Sequence, residues 1–152
     1  MLLVVTHSRS GTTRQLAESV IGGALEASGI DGLEVVERDA FDAGPDDVVG
    51  AGAVILGTPA RFGYMSGAMK DFLERIYEPC MGRTAAMPWA LFVKGDTDVE
   101  GCISSVERIV AGLRWRRVLP VLAVVGEIEG SHMAAARELG ASMAAGLELD
   151  IF

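Results

Sequence analysis

The sequence predicts an α/β protein built on an open, doubly wound parallel sheet, and three observations predict it. Five apolar runs, Leu2 to Thr6, Leu33 to Val36, Ala53 to Gly57, Trp89 to Val93 and Pro120 to Val125, are short and mostly continuous rather than alternating. That is the pattern of strands covered on both faces. The segments between the runs carry apolar residues at helical spacing, so strand and helix alternate five times. No linker, repeat or low-complexity segment interrupts the alternation, and residues 1–152 are expected to form one domain. Ligands of such sheets sit beyond the C-terminal ends of the strands. The loops after the first, third and fourth strands are therefore the places to look for a site.

Each element has its own warrant. Leu16 and Val20 mark the buried face of a first helix. The stretch "RDAFDAGPDDVVGAG", residues 38–52, reads as a loop or short helix because Gly44 and Pro45 break it. Its carboxylates Asp39, Asp42, Asp46 and Asp47 have no histidine or paired spacing beside them, which makes them a solvated acidic loop rather than a metal site. Helix is expected from Met65 onward, with Met65, Met69, Phe72, Leu73 and Ile76 as its buried stripe and Lys70, Asp71, Glu74 and Arg75 outside. The next helix buries Val99, Cys102, Ile103, Val106, Ile109, Val110 and Leu113, and the last buries Ala136, Leu139, Met143 and Leu147.

Composition narrows the function classes. A net charge of −8 disfavours nonspecific binding to nucleic acid or to anionic membranes while leaving room for a local basic pocket. Met1 to Val5 lacks the basic lead-in and the length of a signal peptide, and no later run reaches membrane-spanning length, so a cytoplasmic protein is expected. Cys80 and Cys102 have neither metal nor CxxC spacing and read as reduced or buried thiols, with a redox role for Cys80 as the competing reading.

The turn "SRSGTT" after the first strand carries the chemistry. Gly11 permits close backbone approach to a ligand, Ser8, Ser10, Thr12 and Thr13 supply hydroxyls, Arg9 adds a cation, and the following helix aims its free amides at the same spot. This suits a phosphate monoester. A simple helix cap by Ser10 or Thr12 explains one hydroxyl and leaves the others without a role. No GxxxxGK[ST] or GxGxxG is present, and the turn has neither the cysteine of a phosphatase nor the acidic pair of a receiver domain.

Ser8 to Thr13 resembles the [ST]-x-[ST]-G-x-T loop with which flavodoxin-like proteins hold the phosphate of flavin mononucleotide (FMN). Residues 57–75, "GTPARFGYMSGAMKDFLER", resemble the flavin-ring loop and helix of the NAD(P)H:quinone oxidoreductases of the tryptophan-repressor-binding-protein type. The resemblance implies a three-layer sandwich with a five-stranded parallel sheet in the order 2-1-3-4-5. It also implies FMN as cofactor, NADH or NADPH as electron donor, a small-molecule acceptor of the quinone or flavin class, and a homodimer as one possible assembly. Tyr77 and Trp115 are open to two readings, interface or core.

In the second loop, Pro59 and Gly63 set a tight path that exposes the amides of residues 60 to 63, Ala60 and Arg61 among them, while Phe62 and Tyr64 offer apolar surface to a ring. The resemblance places Arg61 near the pyrimidine side of the flavin, where a cation stabilises developing negative charge; a solvated loop arginine is the plainer reading. In the third loop, Lys94, Gly95, Asp96 and Thr97 wrap the polar ring edge, and Asp98 or Thr97 caps the next helix. That loop lacks an aromatic and is shorter than in the family it resembles, so one ring face stays open. A two-electron reductase is thus the leading expectation, an electron-carrying flavodoxin the alternative, and a scaffold without flavin the third. His7 either touches the ligand or is held at the strand end, and His132 is a surface residue opening the last helix.

Overall fold

The computed structural model describes residues 1–9, 11–28 and 32–152. β1 (Leu2–Thr6), fully buried and apolar up to Thr6, is an interior strand of the sheet, with β2 (Val35–Asp39) on one side and β3 (Ala53–Arg61) on the other, both parallel to it. Beyond β3 lies β5 (Pro88–Gly95), also parallel, and beyond that β6 (Arg116–Arg117) and β7 (Leu122–Val125). Both short strands pair with β5, so they form one edge strand interrupted at 118–121, where Pro120 removes a ladder donor. The order β2-β1-β3-β5-β6/β7 is the predicted order 2-1-3-4-5 with its last strand split. A two-residue strand, β4 (Tyr64–Met65), is the addition: it folds back antiparallel on the end of β3.

The crossovers cover both faces. α1 (Thr12–Ala27) and α5 (Gly130–Glu148) pack on one face against Leu2, Val4, Ala53, Ile55, Ala90 and Phe92. α2 (Pro45–Val49), α3 (Gly67–Cys80) and α4 (Glu100–Gly112) cover the other against Leu3, Val5, Val54, Leu56, Leu91 and Val93. The predicted helical stripes lie inward, with Ile103, Ile109 and Leu147 only partly buried. Trp115 belongs to the core, where its Nε1 donates to Thr84 Oγ1 at 2.9 Å, and half-buried Tyr77 packs against the same core. Cys80 and Cys102 are buried free thiols; burial alone pushes the Cys102 thiol up to about 12, which keeps it protonated and inert. No helix among the described residues is long and apolar enough to cross a membrane.

Several boundaries depart from the sequence reading. The second strand begins at Val35 rather than Leu33 and runs on through Glu37, Arg38 and Asp39, polar residues that an edge strand tolerates because it is only half covered. Met65 lies in β4, not in the helix; α3 starts at Gly67 after Ser66, whose Oγ accepts the Met69 amide at 3.2 Å.

α1 and α5 cross with their backbones nearly touching. A Cβ placed on Gly140 of α5 would lie 1.8 Å from the Val20 carbonyl oxygen of α1, and one on Gly23 of α1 would lie 1.9 Å from the carbonyl oxygen of Arg137. Alanine usually stabilises a helix relative to glycine by about 1 kcal/mol. Here the sign reverses: Gly140→Ala is expected to lower stability in urea unfolding by about 2 kcal/mol through overpacking. Gly130→Ala, with nothing within 4 Å of the added carbon, is expected to stay within about 0.5 kcal/mol of the parent.

Candidate functional site

The site grows from the C-terminal ends of β1, β3 and β5. The first loop leaves β1 and enters α1 through Gly11, whose φ of +83° is the left-handed conformation that glycine adopts without strain. α1 begins at Thr12 with Gly11 at its cap position, and no side-chain cap is seen there among the described residues. Ser8 Oγ instead accepts the Gly11 amide at 3.2 Å, folding the turn on itself. Thr13 is fully buried, and its hydroxyl finds no partner among the described residues. An orphaned buried hydroxyl is costly and uncommon unless something else binds it. Ser10 lies outside the described residues; Arg9 is exposed at the turn.

The second loop is a two-residue hairpin. Arg61 pairs with Tyr64 and Ala60 with Met65, so Phe62 and Gly63 form the turn with φ of +52° and +69°. Positive φ at both central residues defines the turn whose twist matches a hairpin, and glycine at the second place relieves half its strain. The predicted open run of amides at 60 to 63 is therefore shorter, since residues 60 and 61 are strand partners of 65 and 64. Buried hydrogen bonds anchor the hairpin from below: Ser66 N donates to Thr58 Oγ1 at 3.0 Å, and Met65 N to Ser105 Oγ at 3.2 Å. Phe62 projects fully into solvent, Tyr64 is partly exposed, and Arg61 makes no ion pair among the described residues.

The third loop follows β5. Strand alternation puts Trp89, Leu91 and Val93 on the α3/α4 side and Ala90, Phe92 and then Lys94 on the α1 side. Lys94 is thus buried beside the start of α1, its side chain 7% exposed, with Nζ donating to Gly95 O at 3.1 Å and to Asp96 Oδ1 at 3.0 Å. Gly95 is buried, whereas Asp96, Thr97 and Asp98 are exposed. Asp98 Oδ1 accepts the Glu100 amide at 2.9 Å, so it serves the start of α4 from two residues away, with Val99 at the helix boundary.

Two cavities gather these residues. Thr12, Pro59, Ala60, Arg61, Lys94, Gly95 and Asp96 enclose a small one of about 30 Å³ that joins all three loops. A larger cleft of about 900 Å³ lies on the other side of the hairpin, lined by His7, Arg9, Phe41, Arg61, Phe62 and Tyr64 together with 65–68. Of the predicted residues that are described, Ser8, Gly11, Thr13, Gly63 and Thr97 border neither. His7 is held at its strand end, with Nδ1 3.3 Å from Asp39 Oδ2 and its ring edge-on to Phe41 at 5.2 Å. His132 Nδ1 accepts the Glu129 amide at 3.0 Å at the start of α5. Among the described residues no group of three His, Cys, Asp or Glu side chains could hold a metal.

Three contributors escaped the sequence reading. Phe41, in a loop read only for its charges, lines the cleft. Arg75, read as a surface partner of Asp71, also donates to the carbonyls of Ala40 at 2.6 Å and Ala43 at 2.7 Å, tying that loop to α3. The third is a placement rather than a new residue: Lys94, read with the third loop at the ring edge, has its side chain buried on the α1 side. The pairing of a left-handed Gly11 turn, an unpartnered buried hydroxyl and a buried ammonium fits a phosphate monoester.

Thr13→Val removes the orphaned hydroxyl at nearly constant shape. In phosphate-free buffer it is expected to raise unfolding stability by about 1 kcal/mol while weakening anion binding, measured by urea unfolding and by titration with phosphate. A Thr13→Val protein less stable than its parent would mean the hydroxyl has a native partner.

No family model matches the chain. It is 37% identical over 91 residues to an NAD(P)H dehydrogenase (quinone) of Acidithiobacillus ferrooxidans, covering 49% of this chain and 46% of that protein. It is 32% identical over 75 residues to a flavodoxin of Aquifex aeolicus, covering 49% of this chain and 39% of that one. The matches span less than half the length of these relatives. A solved flavodoxin from the domain Archaea superposes with a TM-score of 0.83 at 18% identity, over 97% of this chain and 98% of that one. With its strand order, its two helical layers and this superposition, the chain has the flavodoxin-like fold.

Proposed function

We infer that the chain binds FMN and acts as an NAD(P)H-dependent reductase that passes two electrons to a quinone or similar small acceptor. The observation that carries the cofactor is the first turn, where Gly11 and the unpartnered Thr13 hydroxyl face the requirement of a terminal phosphate at the start of α1. The similarity to proteins named NAD(P)H dehydrogenase (quinone) and flavodoxin supports it. Bound FMN would supply the redox chemistry, taking a hydride and releasing electrons.

The chain's own residues do the rest. Ser8, Arg9, Ser10, Gly11, Thr12 and Thr13 hold the phosphate, while Pro59 to Tyr64 and the backbone of Lys94 to Thr97 flank the ring. Arg61, exposed on the hairpin and without a carboxylate partner among the described residues, stabilises the negative charge that reduction creates. The third loop presents no aromatic side chain, which leaves one ring face accessible to a nicotinamide or quinone.

An electron-carrying flavodoxin is the second reading, and it is favoured by the net charge of −8 and by the relative of that name. Anaerobic titration separates the two. The reductase reading expects direct bleaching of bound FMN by NADH or NADPH in one two-electron step. Arg61→Ala is expected to keep FMN within about threefold of the parent affinity and lose tenfold or more in quinone turnover. Bound FMN that neither nicotinamide reduces, and that dithionite reduces in two separate one-electron steps, would establish the carrier instead.

A further inference from the structure

Lys94 presents an electrostatic problem that its own contacts leave unsolved. An ammonium buried to 7% exposure is costly unless paired. Its carboxylate partner, Asp96, is 94% exposed, so that attraction is heavily screened. The other acceptor is a neutral carbonyl, Gly95 O.

The surroundings deepen the problem. Thr12, the first residue of α1, lines the same two hollows as Lys94: the small cavity below the hairpin and an adjoining groove of about 410 Å³ that also includes Gln15, Gly126, Glu127 and Ile128. The α1 N-terminus carries partial positive charge, and no acidic residue stands in its first turn to offset it. Glu127, in the groove, is exposed. The start of α1 and a buried ammonium therefore meet at these hollows, and Thr13, the next residue of α1, carries a buried hydroxyl with no partner among the described residues. Two positive potentials converge there, and an anion would reconcile them.

We propose that Lys94 is the charged ligand of the cofactor phosphate, reaching it from the far end of β5 while the first loop holds it from the other side. This rests on the FMN reading above and assigns one role within it. Lys94 lies on the α1 face of the sheet, so it addresses the phosphate rather than the ring. It is a positioning and affinity determinant, and it makes the protein selective for FMN over riboflavin, which lacks the phosphate.

The test measures FMN and riboflavin affinity by flavin fluorescence for the parent, Lys94→Met and Lys94→Arg. Lys94→Met is expected to weaken FMN about thirtyfold and riboflavin less than about threefold, with Lys94→Arg recovering much of the loss. In a second measurement, inorganic phosphate is expected to raise the melting temperature of the parent but not of Lys94→Met. In phosphate-free buffer that variant should melt no lower than the parent, since it loses an unreconciled charge. An unchanged FMN-to-riboflavin ratio in Lys94→Met would overturn the role of Lys94 and leave FMN binding intact. A parent that binds neither flavin, yet loses its phosphate response in Lys94→Met, would overturn the flavin reading and leave the anion site standing.

Discussion

The requirement that a parallel sheet be covered on both faces governs this molecule. β1 and β3 are neighbours in register from Leu2 with Ala53 to Thr6 with Gly57, yet the helices that follow them leave in opposite directions. α1 goes to the face of Val4 and Ile55, and α3 to the face of Val5 and Leu56. Two chains diverging from adjacent strand ends must open a crevice between them. Every residue of the candidate site stands at that opening or on the next strand, β5. The reciprocal glycine contact between α1 and α5 locks the second half of α1, at Val20 and Gly23, against its neighbour on the same face.

Local rules are broken more than once around this crevice. The first four residues of β1 and of β3 are fully apolar, whereas around the crevice lie a buried Thr13 hydroxyl with no partner among the described residues, a non-glycine residue with positive φ at Phe62, and a buried ammonium at Lys94. Each costs stability on its own. Such costs persist only when the surroundings over-determine them, and here they do. Thr58, Ser66 and Ser105 pin the hairpin that carries Phe62, while β3 and β7 flank β5 at Lys94. Several costs of different kinds gathered at one place are the expected mark of a binding site.

What the sequence made legible was whatever depends on neighbours in the chain. β1 matched its apolar run residue for residue, and the stripes of α3 and α4 turned inward, because periodicity reports burial directly. The end of β2 was missed because Arg38 and Asp39 belong to an edge, where polarity says little about pairing. The continuation of β3 past Gly57 was missed because Thr58 and Pro59 read as a turn, although the turn comes only at Phe62 and Gly63. At the site, Gly11 and the hydroxyls of the first loop were visible as a cluster. Arg75 on the carbonyls of Ala40 and Ala43, Phe41 against His7, and the burial of Lys94 all depend on partners more than thirty residues away or on the face a strand presents. Those are properties of topology, not of composition.

The two ends of the crevice are built differently, and the difference bears on function. At the α1 end, the groups are a helix terminus, a buried threonine and a buried lysine on a central strand, all held by the densest part of the fold. Such groups cannot adapt, which suits recognition of one invariant chemical unit. At the hairpin end, the groups are Arg61, Phe62 and Tyr64, exposed side chains on a two-residue turn whose base alone is anchored. They can rearrange around a ring, and Arg61 can meet charge as it develops without first breaking an ion pair. A rigid anchor combined with an adaptable reaction face lets binding energy be collected at one end and spent in the transition state at the other. The proposed reductase reading rests on this division, with a third loop that carries no aromatic and an Arg61 that makes no ion pair among the described residues.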